Sequence, residues 1–301
     1  MMKRGIEMAI FNIEKQKVQK LKIKKFKNEK QLQTLFENNL NEIFGIRFLA
    51  SEFRTTHGGR IDTLGLDEDG SPVIIEYKES EKNNVINQGL FYLDWLIDHK
   101  GDFEILVQKI LGKDAKVNWD APRLILIAQS YNEYDKYAVN RISENIELKK
   151  YNLYDSEMLF IENVALPNTK SATKKVKKTN VSYKKYSVED HLRGKSDKVK
   201  ELFNELQEKI LKIDEKINEK ILKFYIAYEL DKNFAEIIIQ ANGLWVHIDI
   251  LKEEVDDPEN KLIDLSDKGH RATGNLKIRV EKTDDIKYCM DIMQQSYENK
   301  L

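Results

Sequence analysis

Two stretches decide how this chain folds: Gly59-Arg60-Ile61-Asp62-Thr63 and Val73-Ile74-Ile75-Glu76-Tyr77-Lys78, joined through Glu68-Asp69-Gly70. Apolar-rich runs over 60–67 and 72–78 around that turn signal predict a β-hairpin. Side chains alternate faces along a strand, so Glu76 and Lys78 point one way while Ile75 and Tyr77 point the other. A hairpin turning about Asp69 sets position 62 opposite position 76, because each is seven residues from the turn. Directly opposed side chains stand about 4.5–5.5 Å apart at Cβ, so two carboxylates would face each other with an ammonium one step along. Like charges opposed this closely are unfavourable, and the strand around Glu76 is apolar, where an unpaired charge is costly. A divalent cation between the carboxylates removes the conflict. Mg²⁺ takes oxygen ligands, typically one or two carboxylates plus waters and substrate phosphates.

Outward from the hairpin, the pattern predicts a mixed sheet with helices on both faces, an α/β fold. Upstream, Leu32, Leu35, Phe36, Leu40 and Ile43 recur at helical spacing over 29–44, with Gly45 as the stop, and Phe48 to Thr55 reads as a strand. Downstream, 84–99 and 103–110 read as helices, Arg123 to Ala128 as a short buried strand, 133–143 as a helix, and 146–151 and 158–164 as closing strands. A Lys-rich stretch at 167–195 with no apolar period reads as a linker. Beyond it, an amphipathic helix at 198–211, strands at 223–230, 234–240, 244–250 and 276–280, and a final helix at 284–297 make a second, α+β domain over 196–301. The first domain is then 1–166.

The chain has 301 residues, 50 Lys plus Arg against 51 Asp plus Glu, and 41% hydrophobic positions. It is long enough for two domains with cores, and no apolar run approaches the roughly 18 residues of a membrane helix. The start, Met1-Met2-Lys3-Arg4, has no secretory apolar core, and the single cysteine, Cys289, excludes a disulfide framework; the expected location is the cytoplasm. The net charge of −1 conceals a partition. Residues 1–36 carry 10 basic and 3 acidic groups, 37–166 carry 14 and 23, 167–195 carry 9 and 2, and 196–301 carry 17 and 23. Two basic flanks, at 1–36 and 167–195, therefore surround an acidic middle. A Lys run is commonly a solvated face, but phosphate contact needs clustered rather than net positive charge.

The Asp62 and Glu76-Tyr77-Lys78 arrangement resembles the active site of the PD-(D/E)XK nuclease superfamily, the restriction-endonuclease-like fold. The Arg-Ile-Asp-Thr, Ile-Glu-Tyr-Lys and Asn-Gln-Gly series is similar to a NucS-related branch of bacterial DNA endonucleases. The likeness spans about residues 10–165. It departs from the superfamily name at Ile61, where a proline would stand. The resemblance implies metal-dependent hydrolysis of phosphodiester bonds, in DNA before RNA, with Mg²⁺ or Mn²⁺ as cofactor. It implies that Asp62, Glu76 and the main-chain carbonyl of Tyr77 hold the metal, that Glu37 on the upstream helix completes the shell directly or through water, and that Lys78 orients water and stabilises developing charge. Gln88 on the following helix would position a ligand or phosphate, with Tyr92 one turn later on the same side. Arg54 and Arg60 are candidates for backbone contact. The competing expectation is a non-catalytic binding or adaptor protein that keeps the fold.

Other features are weaker. His57 beside two glycines reads as a loop residue within reach of a phosphate. His247, His270 and Cys289 match no compact zinc spacing. Gly269-His270-Arg271-Ala272-Thr273-Gly274 is a turn-rich loop able to bind an anion, and Trp95, Trp119 and Trp245 read as packing residues. Tyr183 and Tyr186 interleave with Lys184 and Lys185, a pattern compatible with base stacking. The C-terminal domain resembles a small bacterial domain of unknown function, through Lys268-Gly269-His270, Gly274-Asn275-Leu276 and Gln294-Gln295-Ser296-Tyr297. Its acidic balance favours a protein or small-ligand partner over DNA. A homodimer is left open, and no membrane partner is expected.

Overall fold

A computed structural model describes residues 9–78, 85–155, 157–164, 186–267, 269 and 272–301. The described chain forms two compact units, one within Met1–Asn39 and Phe48–Tyr183 and the other within Leu40–Arg47 and Lys184–Leu301. Among the described residues no helix is long and apolar enough to cross a membrane.

The elements of the first half follow in order: β1 (Phe11–Glu14), β2 (Lys17–Lys20), β3 (Ile23–Lys24), α1 (Glu29–Glu37), α2 (Leu40–Phe44), β4 (Arg47–Arg54), β5 (Arg60–Leu66), β6 (Pro72–Lys78), α3 (Val85–Asp98), α4 (Lys100–Leu111), β7 (Arg123–Ala128), α5 (Glu133–Arg141), β8 (Asn145–Tyr154) and β9 (Leu159–Asn163). The main sheet runs β3-β8-β7-β6-β5-β4, with β9 also paired to β8. Strand β5 is antiparallel to β6, whereas β6, β7 and β8 are parallel. This is the expected mixed α/β sheet, and β6 at its centre is buried along its whole length. Leu64, Ile74, Leu124 and Leu126 meet Ile86, Leu93 and Leu96 of α3 in one continuous core.

The hairpin register agrees with the sequence: Thr63 pairs with Ile75, Leu64 with Ile74 and Leu66 with Pro72, all turning about position 69. Three features differ from expectation. The helix expected over 29–44 is two helices; Asn39 Nδ2 donates to the Leu35 carbonyl at 2.7 Å, a side chain competing for backbone at the break. The antiparallel ribbon β1–β2, which the sequence reading left without structure, turns at Lys15 and Gln16, both with positive φ (46° and 65°), the geometry of a type I′ turn without its customary Asn-Gly. Strand β3 is likewise new.

Helix α3 lies close on β7 because position 89 is glycine. A Cβ there would stand 2.6 Å from Leu124 Cδ2 and 2.8 Å from its Cδ1. Gly89→Ala therefore lowers stability by about 1–3 kcal/mol through overpacking, although alanine is the better helix former. Urea unfolding of the variant checks this, the midpoint falling at unchanged slope.

The second unit contains α6 (Val188–Leu192), α7 (Asp197–Leu211), β10 (Asn218–Ile221), β11 (Ile226–Glu229), β12 (Asn233–Gln240), β13 (Gly243–Ile248), β14 (Ile263–Asp264), β15 (Leu276–Val280) and α8 (Thr283–Glu298). Its antiparallel sheet runs β10-β11-β12-β13-β15-β14. Val199, Phe203 and Leu206 of α7 and Ile292 and Met293 of α8 share one core with the sheet. Helix α6 falls inside the stretch read as a linker; Ser187 and Asp190 close a capping box at its start, and Val188 and Leu192 pack on this core. Residues 167–185 of that stretch, with Tyr183, Lys184 and Lys185, lie outside the described residues.

Asp257 ties the loop before β14 to α8. Burial alone would raise its pKa, but donors from Lys252 Nζ, the Tyr288 hydroxyl and the backbone N–H groups of Lys261 and Leu262 outweigh it and hold the pKa at about 2. A depressed carboxylate contributes stability that is complete above its unfolded pKa, here 3.8, and is lost as pH falls toward 2. Asp257→Asn is expected to be less stable at neutral pH and to lose less on acidification from pH 4 to pH 2 than the unsubstituted protein, read by thermal melts across that range.

Candidate active site

The ladder between β5 and β6 ends at Thr63 and Ile75, and the next pair is Asp62 and Glu76. There, carboxylates take the place of ladder carbonyls. Asp62 N donates to Glu76 Oε1 at 3.0 Å, and Tyr77 N donates to Asp62 Oδ2 at 3.1 Å. The strands part at this point, and two acids are fixed across the opening by main-chain donors. Glu76 is fully buried, and its Oε2 has no hydrogen-bond partner. Burial first and the Asp62 charge second push the Glu76 pKa up to about 8. Burial also raises Asp62, against the pull of the Tyr77 N–H and of Lys78.

A divalent cation is the group these atoms fit. The set comprises two carboxylates, hard oxygen donors, one of them with an orphaned buried oxygen, beside an accessible cavity. Among the described residues no three His, Cys, Asp or Glu side chains converge on one point. The carboxylates such a site could draw on here are the Asp62–Glu76 pair, a number compatible with Mg²⁺.

Lys78 follows on the same face as Glu76, is 8% exposed, and reaches Glu29 Oε1 at 3.5 Å. An open cavity of about 590 Å³ lies over Asp62 and Lys78, and Glu29, Arg54, Arg60, Gln88 and Tyr92 also line it. Gln88 Nε2 and the Arg60 backbone N–H both donate to the Tyr92 hydroxyl, at 3.2 and 3.0 Å. The tyrosine thereby ties α3 to the loop before β5. Gly59 is needed there: its φ is +98°, and a Cβ would stand 2.9 Å from Tyr92 Cε1. Arg60 is ion-paired with Glu52, which Lys30 also reaches at 3.3 Å.

The structure thus brings Asp62, Glu76, Lys78, Gln88, Tyr92, Arg54 and Arg60 into one neighbourhood. It does not bring Glu37. That carboxylate accepts from Thr63 Oγ1 at 2.7 Å and Gln33 Nε2 at 2.9 Å, and Thr63 points to the opposite strand face from Asp62. The α1 residue at the cavity is Glu29, two turns earlier. Residues 29, 33 and 37 share one stripe, and the middle one, Gln33, donates to the Asp62 carbonyl at 2.7 Å. Spacing by four could have nominated Glu29 but could not rank it over Glu37. The Tyr77 side chain lies on the far face, its hydroxyl 3.4 Å from Thr63 Oγ1 and its ring against Phe36.

The remaining candidates have structural places. His57 stacks edge-on against His99, and Trp95 stacks on His99 and donates to Thr56 Oγ1 at 2.9 Å. Trp119 packs on Phe103, and Trp245 lies under Lys277 and Arg279. Cys289 is buried beside Met293, and burial pushes its thiol pKa up. The loop read as an anion binder does hold an anion, the chain's own Glu236, through Thr273 N at 2.8 Å and Gly274 N at 3.2 Å. Lys268, His270 and Arg271 of that loop lie outside the described residues.

Over 303 residues the chain is 33% identical to an uncharacterized protein of Haemophilus influenzae, covering 97% of this chain and 100% of the relative. The chain belongs to that protein's family. Residues 188–300 match the model of a domain of unknown function, DUF5655, so the expected C-terminal domain type is present and its match begins at α6. Among solved structures, a repair endonuclease from Pyrococcus abyssi is similar at 21% identity, over 41% of this chain and 47% of that one, with a TM-score of 0.28. An EndoMS–dsDNA2 complex is similar at 21% identity, over 40% of this chain and 44% of that one, with a TM-score of 0.26. The match spans less than half the length of these endonucleases.

Proposed function

We propose that the first unit is a metal-dependent nuclease of the PD-(D/E)XK type that hydrolyses phosphodiester bonds in DNA. The observation that carries this reading is the Asp62–Glu76 pair across the parted hairpin, with Glu76 Oε2 buried and orphaned and Lys78 on the same face. Asp62 and Glu76, with the Tyr77 carbonyl, would hold Mg²⁺ or Mn²⁺. Such an ion supplies Lewis-acid polarisation of a phosphoryl oxygen and acidifies water. Lys78 orients the attacking water and stabilises charge that develops on the phosphate. Its partner Glu29 fixes the ammonium in place. Gln88 and Tyr92 line the same cavity, and Arg54 and Arg60 meet the phosphate backbone, Arg60 after exchanging Glu52 for phosphate.

The test uses labelled single-stranded, duplex and flapped DNA with Mg²⁺ or Mn²⁺. Asp62→Ala, Glu76→Ala and Lys78→Ala are compared with the unsubstituted protein. Metal-dependent cleavage that all three substitutions leave intact overturns the site. Absence of cleavage together with absence of Mn²⁺-induced thermal stabilisation favours the non-catalytic adaptor instead.

A further inference from the structure

The ribbon β1–β2 is exposed along its whole length. All eight of its strand residues are exposed, with Phe11 at 49%, Ile13 at 71% and Val18 at 63%. Ile13 is directly opposite Val18 and Phe11 opposite Lys20, so one face carries three apolar side chains and a lysine. Glu14 opposes Lys17 on the other face. From residue 15 to residue 27 there are seven lysines and no acidic residue. A two-stranded hairpin with no packed face is marginal in water, and this one has neither face covered. Its charge calls for a polyanion.

Topology sets the ribbon on the catalytic end of the sheet. Lys78, Ala128 and Lys150 are level across the parallel strands β6, β7 and β8. Beyond that level, Leu153 pairs with Lys24 of β3 and, on its other edge, with Leu159 of β9. Strand β9 also pairs with Lys149, whose opposite edge is taken by Ile127 of β7. Strand β3 therefore continues the line of β7, one strand over from β6. With about 3.3 Å per residue and about 4.8 Å between strands, β3 lies roughly 13 Å from Lys78, and the ribbon leads on outward from it, Lys20 standing three residues before Ile23. That distance is about four base steps of a duplex at 3.4 Å each.

We infer that the β1–β2 ribbon is a second nucleic-acid contact, which holds duplex DNA beside the scissile position through Lys20 on its apolar face and through Lys15 and Lys17 at its turn, where they straddle the edge, with Ile13 and Val18 covered by the duplex. A two-stranded ribbon is of a size that the major groove admits, and apolar side chains there meet thymine methyl groups. The inference rests on the reading of the site as one that acts on DNA, and it adds how far along the duplex the protein reaches. Short duplexes that end within about four base pairs of the cut lose this contact.

The experiment measures fluorescence anisotropy of a labelled 30-base-pair duplex from 50 to 300 mM KCl. The 301-residue chain carries Glu76→Gln, so that DNA is bound without being cut. It is compared with the same chain also carrying Lys15→Ser, Lys17→Ser and Lys20→Ser, and with one carrying Ile13→Ser and Val18→Ser. Loss of three phosphate contacts weakens binding at least about tenfold at 100 mM salt and reduces the slope of log K against log salt by about 2–3. Circular dichroism and melting temperature stay unchanged, because the replaced side chains are exposed. Affinity and slope within twofold of the parent overturn the inference, as does a change confined to self-association in sedimentation or to binding of an acidic protein surface. Lysine-dependent binding by a chain that cuts no DNA with any metal overturns the nuclease reading and leaves the ribbon standing. Cleavage without lysine dependence does the reverse.

Discussion

If the first unit is the nuclease proposed, Asp62→Ala and Glu76→Gln are each expected to lower metal-dependent cleavage by at least about 10²–10³-fold and to abolish thermal stabilisation by Mn²⁺. The two are expected to diverge in stability without metal. Asp62→Ala removes the acceptor of the Tyr77 N–H and opens a gap beside Glu76, so it is destabilising. Glu76→Gln keeps an acceptor for the Asp62 N–H, removes the cost of holding at a fully buried position an acid whose pKa burial pushes up to about 8, and can turn its amide toward Asp62 as a donor. The metal-free Glu76→Gln protein is therefore more stable by roughly 1–3 kcal/mol. Paired thermal melts with and without 1 mM-scale Mn²⁺ separate the effects. A protein in which Glu76→Gln still gains stability from Mn²⁺ would not be using this carboxylate as a ligand. The gain in stability with loss of activity is the signature of an acid kept for chemistry against the preference of the fold.

At the other end of the same strands the fold keeps a buried charge for itself. Arg123 opens β7, is 4% exposed, and donates to Glu147 Oε1 at 2.8 Å and Asp67 Oδ2 at 3.0 Å. Asp67 in turn accepts the N–H groups of Asp69 and Ser71 at 3.0 and 2.7 Å, which shapes the β5–β6 turn. Burial alone would lower the Arg123 pKa, but the two carboxylates more than reverse that and hold the guanidinium charged. Arg123→Ala takes the guanidinium from the buried Asp67 carboxylate, while Glu147 keeps Lys149 Nζ at 3.0 Å, and is expected to cost about 3–5 kcal/mol. In a unit of this size that is a fall in melting temperature of about 10 °C. Arg123→Met with Asp67→Asn, which leaves the Glu147–Lys149 pair in place, should recover much of the loss, because removing both partners is far less costly than removing one. Equal destabilisation in the single and double variants would count against this account.

The two predictions rest on parts of the fold that differ in how far they were legible. The pairing of 62 with 76 was readable because strand alternation and a hairpin turn are local rules. Once the turn is placed at Asp69, every cross-strand neighbour follows. The same holds for Lys78, two residues along on one face. Strand β7 and helix α3 were equally plain, since an all-apolar run and a three-four repeat each have one reading. The ribbon β1–β2 was not, because its turn is Lys15-Gln16 and its residues alternate with no buried face to show a pattern.

Sequence by itself determined that two carboxylates and a lysine would meet on one strand pair, because the distances involved are set by backbone geometry within a single hairpin. Tertiary structure decided the rest. It set Glu29 rather than Glu37 against Lys78, through the way α1 crosses the sheet, which no spacing along α1 encodes. It brought Arg123 to Asp67, 56 residues away, by a parallel crossover. It also carried the lysine ribbon to the end of the sheet where Asp62 and Glu76 stand, by running β3 in line with β7. Contacts that close over long loops depend on how whole elements pack, and packing is a property of all their buried surfaces at once.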